Sequence, residues 1–390
     1  MAVGSVSVQQ LLRRPYILRV ISRLKEAGTA FQNFYNLGQG TVPSEVIPVG
    51  IHTFTYDVFD NTRTVATVRP RGAGPNRVRK QRVGTASATL LRAYEAMTIE
   101  YDKIAGSRRI GADWVKGLDR RGQNYVTKQL RYQMQRFVNL REFVISRMFR
   151  GGYAIKMEGE EHYVTEEGSG DFDVNFQIPS SHKGRLPLKA GAADIITASH
   201  ASASTDVISH WLELQKAAER ESGHSIKTAW INSTLLGNYI QNDTLQAAGG
   251  SAFRIWDDFQ RGRLPTPDGS RDSGWEIQFR AYPHILFRVY DGVLNAGSVQ
   301  VDSTAIADTN LFVPDNVCIF TPNPDGDWLG MAEGSELVRK GYDKPVTLAE
   351  GFDTWNLPVS TPAGEELHAL DLFAPVLYIP KAVYYATVVF

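Results

Sequence analysis

Eight histidines and one cysteine are the residues of this 390-residue chain best suited to metal binding or nucleophilic chemistry, and their spacing serves neither. His200 and His210 stand apart in sequence, and His162, His182 and His224 are scattered in polar stretches with no His-Glu-x-x-His pattern. Each reads as a surface or hydrogen-bonded histidine and not as a ligand. Cys318 lies in the apolar run Asn316 to Phe320, where nothing nearby activates a thiol, and reads as a small buried hydrophobe. A single cysteine excludes an intrachain disulfide and any paired-cysteine zinc site. The adjacent acids Glu160-Glu161, Asp257-Asp258 and Glu365-Glu366 suggest carboxylate catalysis of glycoside hydrolysis. Neighbours on a strand point to opposite faces, and on a helix they diverge by about 100°, so such pairs read as solvated charge. The segment from Gly117 to Gln123 has the glycine spacing of a phosphate-binding loop without the Lys-Ser/Thr that must follow. The turn from Pro322 to Asp327 resembles a calcium loop in composition only. There is no Gly-x-Ser-x-Gly elbow. The expectation is a protein that is not an enzyme, with no catalytic, cofactor-binding or metal site.

Bulk composition agrees with a non-catalytic globular protein. Hydrophobic residues make up 43% of the chain, and 42 basic residues balance 42 acidic ones. A dedicated nucleic-acid binder would carry a basic surplus. The first residues lack the charged stretch and apolar run of a signal peptide, and no window reaches the roughly 18 apolar residues of a membrane span. Assembly or use in the cytosol is expected, and Asn232-Ser233-Thr234 and Asn242-Asp243-Thr244 read as chance matches to a glycosylation pattern.

The elements that would position any function follow from periodicity. Residues 7–37 read as a short helix and arm, with Ile17, Val20, Ile21 and Leu24 at helical spacing. Residues 51–68 are rich in β-branched types, the chain breaks at Pro70 to Pro75, and Val78 to Leu91 suggest a returning strand. From Asn61 to Ala93 there is no acidic residue, while Arg63, Arg69, Arg71, Arg77, Arg79, Lys80, Arg82 and Arg92 are all basic. A long isolated hairpin is marginal in water, and no neighbouring segment obviously supports this one, which points to another subunit. The basic excursion is therefore read as an inter-subunit contact through Arg63, Arg69, Arg71, Arg77, Arg79, Lys80 and Arg82. A solvated loop and a direct nucleic-acid contact are the other readings.

Residues 119–150 carry the best helix signal, with Val126, Leu130, Met134, Phe137, Ile145 and Met148 apolar, arginines between them, and Gly151-Gly152 as a stop. About 30 residues at 1.5 Å per residue would span roughly 45 Å. A hairpin is expected over 153–178. From Thr205 the pattern alternates between helix and strand: a helix over 205–221 with Thr205 as its N-cap, a strand ending at Ile231, a helix capped by Asn232 or Ser233, and strands at 275–279, 285–290 and 317–320. The apolar terminus, holding Val376 to Ile379 and Val383 to Val389, must be buried and is expected to return to the sheet of the first half.

This order of segments resembles the tailed-bacteriophage capsid fold. The run Leu311-Phe312-Val313-Pro314-Asp315-Asn316 before a strand, the segment Gly330-Met331-Ala332-Glu333-Gly334, and the close Ala374-Pro375-Val376-Leu377-Tyr378-Ile379-Pro380 are similar to the major capsid protein E family of lambda-like phages. Trp230-Ile231-Asn232-Ser233-Thr234 is also similar, although the family often has Asp-Pro after that strand. The resemblance implies an α+β, HK97-like capsid fold with an N-terminal arm (1–50), an extended β-hairpin E-loop (51–95), a peripheral domain (96–202) around a spine helix (119–150), an α/β axial domain (203–365), and a return strand (366–390). It implies hexamers and pentamers in an icosahedral shell around double-stranded DNA, assembled in the host cytoplasm into the virion capsid. A separate scaffolding protein, a portal protein and in some cases a decoration protein would be its partners, with no membrane. An encapsulin-type nanocompartment shell protein is the alternative within this fold, and a hydrolytic enzyme is the alternative of another class.

Overall fold

The structure is a computed structural model that describes residues 30–38, 42–59, 83–100, 120–158, 161–186, 193–249, 275–279, 281–292, 311–324, 327–340, 345–359 and 364–390. The helices are α1 (Ala30–Tyr35), α2 (Arg120–Arg150), α3 (Val207–Glu221), α4 (Ser233–Ile240) and α5 (Asp243–Gly249). The strands are β1 (Glu45–Ile47), β2 (Thr53–Phe59), β3 (Val83–Thr89), β4 (Leu91–Glu100), β5 (Gly152–Glu158), β6 (Glu161–Glu166), β7 (Phe172–Asn175), β8 (Lys183–Gly184) and β9 (Thr228–Ile231). They continue with β10 (Trp275–Ile277), β11 (Leu286–Val289), β12 (Val317–Thr321), β13 (Leu329–Arg339), β14 (Val346–Glu350), β15 (Phe352–Val359), β16 (Gly364–Leu377) and β17 (Tyr384–Thr387). The class is α+β, as expected, and the strands form two six-stranded sheets, a two-stranded ribbon and a three-stranded sheet.

The first sheet runs β1-β13-β16-β15, with β14 added on β13 and β4 on β16. Its axis is β16, whose 14 residues pair with β4, β15 and β13. Side chains on β16 alternate: Asp371 and Phe373 meet α2, while Leu370 and Leu372 face away and are covered by Val338, Ala349 and Trp355. On α2, Leu130, Met134, Phe137, Val138 and Val144 to Ile145 are buried, the helical stripe needed to lie along a sheet.

The second sheet runs β10-β11-β9-β12-β17-β8. Every residue of β9 and of β12 is buried. Trp211 and Leu214 of α3 and Leu235, Leu236 and Tyr239 of α4 pack in the core on one of its faces. Trp230 and Ile319 point to the other face, into a core shared with α1, the C-terminal half of α2 and the first sheet. Among the described residues, no helix is long and apolar enough to cross a membrane.

Four expectations are corrected. The terminal strand β17 does not join the first sheet. It pairs with β12 and β8, and Tyr384, Ala386 and Val388 fill the core of the α/β sheet. Apolarity demanded burial but could not say in which core; only residues up to Leu377 return to the first sheet. The base of the β2–β3 hairpin has intrachain support: Phe54, Tyr56, Ala86 and Ala88 pack on Ile47, Leu90, Ala332, Ala374 and Val376. Residues 152–175 form a three-stranded sheet, with β5 between β6 and β7, and not a single hairpin. The N-cap of α3 is Asp206, whose carboxylate accepts from the Ser209 amide, while the Thr205 hydroxyl donates to the Ser199 carbonyl.

Candidate functional site

The seven cations singled out in sequence, Arg63 to Arg82, lie outside the described residues, as do Gly117, Asp257 and Asp258. What is described is the stem that carries the basic segment. Strands β2 and β3 pair from Thr53↔Thr89 to Phe59↔Val83, so the chain leaves and re-enters side by side. The Phe59 amide donates to the Tyr378 carbonyl at 2.8 Å, anchoring the end of β2 to the first sheet. Arg92, at the foot of the stem, is exposed and forms a bidentate pair with Glu336 at 2.7 and 2.9 Å. Such an exposed pair contributes at most about 1 kcal/mol.

A buried polar cluster that escaped sequence reading sits in the C-terminal half of α2. Arg141 and Glu142 are adjacent, so they point in directions about 100° apart. Arg141 reaches the sheet, donating to Asp371 at 2.8 and 2.6 Å, with Glu333 at 3.5 Å. Glu142 turns to the arm. Its carboxylate accepts from the Phe31 amide at 2.8 Å, the Gln32 amide at 3.2 Å and the Gln32 Nε2 at 3.1 Å. Gln32 Nε2 also donates to the Val138 carbonyl at 2.8 Å. Burial pushes the Glu142 carboxyl up to about 7, with these donors holding it down from a higher value. The docked helix α1 then inserts Phe31 and Tyr35 among Phe149, Trp230, Tyr290 and Trp328. The Tyr35 hydroxyl meets Thr321 at 2.7 Å and accepts from Trp230 Nε1 at 2.8 Å. The arm is thus a plug between the two sheets. The signal available in sequence was that Glu142 is the single acid of a helix otherwise bearing only basic charge.

The histidines, the cysteine and the adjacent acids singled out in sequence have these surroundings among the described residues. His200 Nε2 and His210 Nδ1 lie 3.0 Å apart, with the Tyr239 hydroxyl 3.0 Å from His200 Nδ1 and Thr197 Oγ1 3.0 Å from His210 Nε2. Burial depresses His200 to about 3, with His210 adding to the effect, so both rings are neutral near pH 7. His182 stacks on Tyr384 with centroids 4.0 Å apart and lies 2.6 Å from Glu221. Cys318 is fully buried, and desolvation raises its thiol well above the usual range, which keeps it protonated. Glu365 and Glu366 sit at successive positions of β16: Asn356 donates to Glu365, and Glu366 lies 3.2 Å from His368. Among the described residues, no group of three His, Cys, Asp or Glu side chains is placed to hold a metal ion. Asn232 and Asn242 are both buried N-caps, accepting from the Leu235 and Leu245 amides, a structural reason for an asparagine at each position.

Two exposed features among the described residues bear on the site. Leu337 and Leu348 are directly opposite on β13 and β14 and both are exposed, with Val346 on the same face. The outward face of the N-terminal half of α2 carries Lys128, Arg131, Tyr132 and Arg136, all exposed.

No protein-family model matches the chain, and no curated protein matches it. Solved structures to which it is similar include a phage-related protein from Bordetella bronchiseptica, at 9% identity and a TM-score of 0.49, covering 95% of each chain. Another is the capsid of a native GTA particle, at 10% identity and a TM-score of 0.42, with 94% of this chain and 92% of that one covered. A third is from Mycobacterium phage Patience, at 10% identity and a TM-score of 0.40, with 98% and 90% covered.

Proposed function

We propose that the chain is the major capsid protein of a tailed bacteriophage, a shell-forming structural protein of the HK97-like fold. The observation that carries this reading is the order of its elements. A β-hairpin stem leads into a basic segment, a 31-residue helix lies along a mainly antiparallel sheet, and a separate α/β sheet follows. That is the order implied by the resemblance of the sequence to lambda-like capsid proteins. In this reading the β2–β3 stem carries the E-loop, α2 is the spine, the first sheet belongs to the peripheral part and the second sheet to the axial part. Copies join as hexamers and pentamers into an icosahedral shell around double-stranded DNA, with a separate scaffolding protein and a portal protein. Assembly takes place in the host cytoplasm and the product is the virion capsid.

The experiment is co-expression with the scaffolding protein, followed by electron microscopy and analysis of particle contents. Closed shells support the reading. A chain that stays monomeric under all conditions overturns it. Shells filled with a protein cargo and no nucleic acid would assign the chain to the encapsulin type instead.

A further inference from the structure

The longest helix has an unusual charge distribution. Over α2 there are eight basic residues, Arg120, Arg121, Lys128, Arg131, Arg136, Arg141, Arg147 and Arg150, and one acid, Glu142, which is fully buried against the arm. From Arg120 to Arg136 every charge is positive in a protein whose overall formal charge is +0. Helix N-termini favour acids, because the unpaired amides there give a partial positive charge. The first turn of α2 has no acid and opens on two arginines, so dipole and side chains add with the same sign. Within the described residues Arg136 is answered by Glu95 and Arg141 by Asp371, while Lys128 and Arg131 have no acidic partner.

The exposed part of the face is linear. Lys128, Arg131 and Tyr132 stand at positions i, i+3 and i+4, which groups them on one side of the helix. Arg136 borders them and is tied to Glu95 at 2.8 Å. Lys128 and Arg131 meet no acidic group among the described residues. From Lys128 to Arg136 the described cations extend along roughly 12 Å of helix axis at 1.5 Å per residue. Tyr132 is 61% exposed, and the half-buried Tyr125 stands seven residues before it on the same side of the helix. A protein interface would need an apolar centre within a polar rim. Here there are cations and a phenol, donors that contact phosphate oxygens. Exposed aliphatic side chains such as Leu337, Val346 and Leu348 lie elsewhere, on β13 and β14.

We infer that the outward face of the N-terminal half of α2, centred on Lys128, Arg131 and Tyr132, binds the phosphate backbone of double-stranded nucleic acid without reading sequence. This rests on the capsid reading for its biological partner, and it sets the helix face toward the interior of the shell. Overall neutrality is no obstacle, because a local line of cations releases counterions regardless of charge elsewhere.

The test uses the full chain. Binding to two 20-base-pair duplexes of different sequence is followed by fluorescence anisotropy against sodium chloride concentration, for the native protein and for Lys128→Gln/Arg131→Gln. The native protein should bind both duplexes alike. The variant should keep its circular dichroism, lose affinity roughly tenfold or more at low salt, and show a log–log salt slope smaller by about 1.8, or about 0.9 for each phosphate contact removed. The charge-keeping variant Lys128→Arg/Arg131→Lys should retain the native slope. An unchanged slope in the glutamine variant overturns the inference. So does unchanged DNA binding with loss of particles, which would assign the face to an acidic surface of a neighbouring copy. Particle formation by the native protein is scored separately, so a failure of the capsid reading is distinguished from a failure of this one.

Discussion

Arg141 and Asp371 form a bidentate ion pair in which neither side chain has any exposed surface. The pair joins the C-terminal half of α2 to β16, the central strand of the first sheet. Two desolvated charges are held by each other, and the guanidinium also stacks on Phe373 at 4.9 Å. Removing one partner leaves the other charge stranded. Arg141→Ala should therefore destabilise the subunit by about 3–5 kcal/mol. Replacing both, as Arg141→Met with Asp371→Leu, should recover most of that loss. Urea unfolding of the three proteins measures it, and a single variant that loses less than about 1 kcal/mol would show that the helix is held by apolar packing alone.

Glu142, the next residue, gives the arm contact a pH dependence. Its folded pKa is raised to about 7 from the ordinary value of 4.5 by burial. A raised pKa means the folded state holds the proton more tightly. Its contribution is full below pH 4.5 and is lost as pH rises through 7. Between pH 7.5 and 5 this group alone should add on the order of 2 kcal/mol of stability. Glu142→Gln should remove that gain, seen as a flatter pH profile in urea unfolding. A profile parallel to that of the native protein would mean the carboxylate is ionised throughout.

The histidine pair acts in the opposite sense. His200 is depressed to about 3 from 6.5, chiefly by burial and then by His210. A depressed histidine stabilises the fold fully above pH 6.5, and that stability is lost as pH falls toward 3. At pH 5 the loss is on the order of 2 kcal/mol. It offsets the Glu142 gain in the native protein, so the two appear only in variants. His200→Gln should start less stable at pH 7.5, having lost its place between Tyr239 and His210, yet lose less on acidification. Equal losses in both proteins would place the acid sensitivity elsewhere.

How far the sequence could be read depends on whether the deciding information is local. The helix α2 was legible because its apolar period and the Gly151-Gly152 stop are local. Strand β9 and the cap at Asn232 were legible for the same reason. The destination of β17 was not, because Val383 to Val389 is apolar enough for either core and only its pairing with β12 decides. The support for the hairpin stem was also hidden. Ile47, Ala332 and Val376 come from three distant stretches, and alanines give no periodic signal. The contacts of Glu142 join it to Phe31 and Gln32 across more than a hundred residues, and nothing in a sequence window reports that. The basic excursion was plain in sequence as a run without acids, and its contacts are a matter for experiment.

That excursion bears the last prediction. Arg69, Arg71, Arg77, Arg79, Lys80 and Arg82 surround a Pro/Gly-rich stretch from Pro70 to Pro75. Like charges this close repel one another, so the segment gains nothing from packing on itself. The stem below it is a different matter, since Phe54, Tyr56, Ala86 and Ala88 are buried in the subunit's own core. Stem and basic segment should therefore respond separately to mutation. Across a subunit contact the arginines would meet acidic groups, and partly desolvated charge pairs there are worth more than exposed ones. Each pair contributes little, yet the same contact recurs at every copy in a shell. Changing Arg77, Arg79 and Arg82 together to Glu should leave the circular dichroism and unfolding midpoint unchanged while abolishing particles in a sedimentation assay. Tyr56→Ala should do the reverse in order, lowering the unfolding midpoint first and assembly only as a consequence. Normal particles at normal yield from the triple Glu variant would show that the basic segment is a solvated loop.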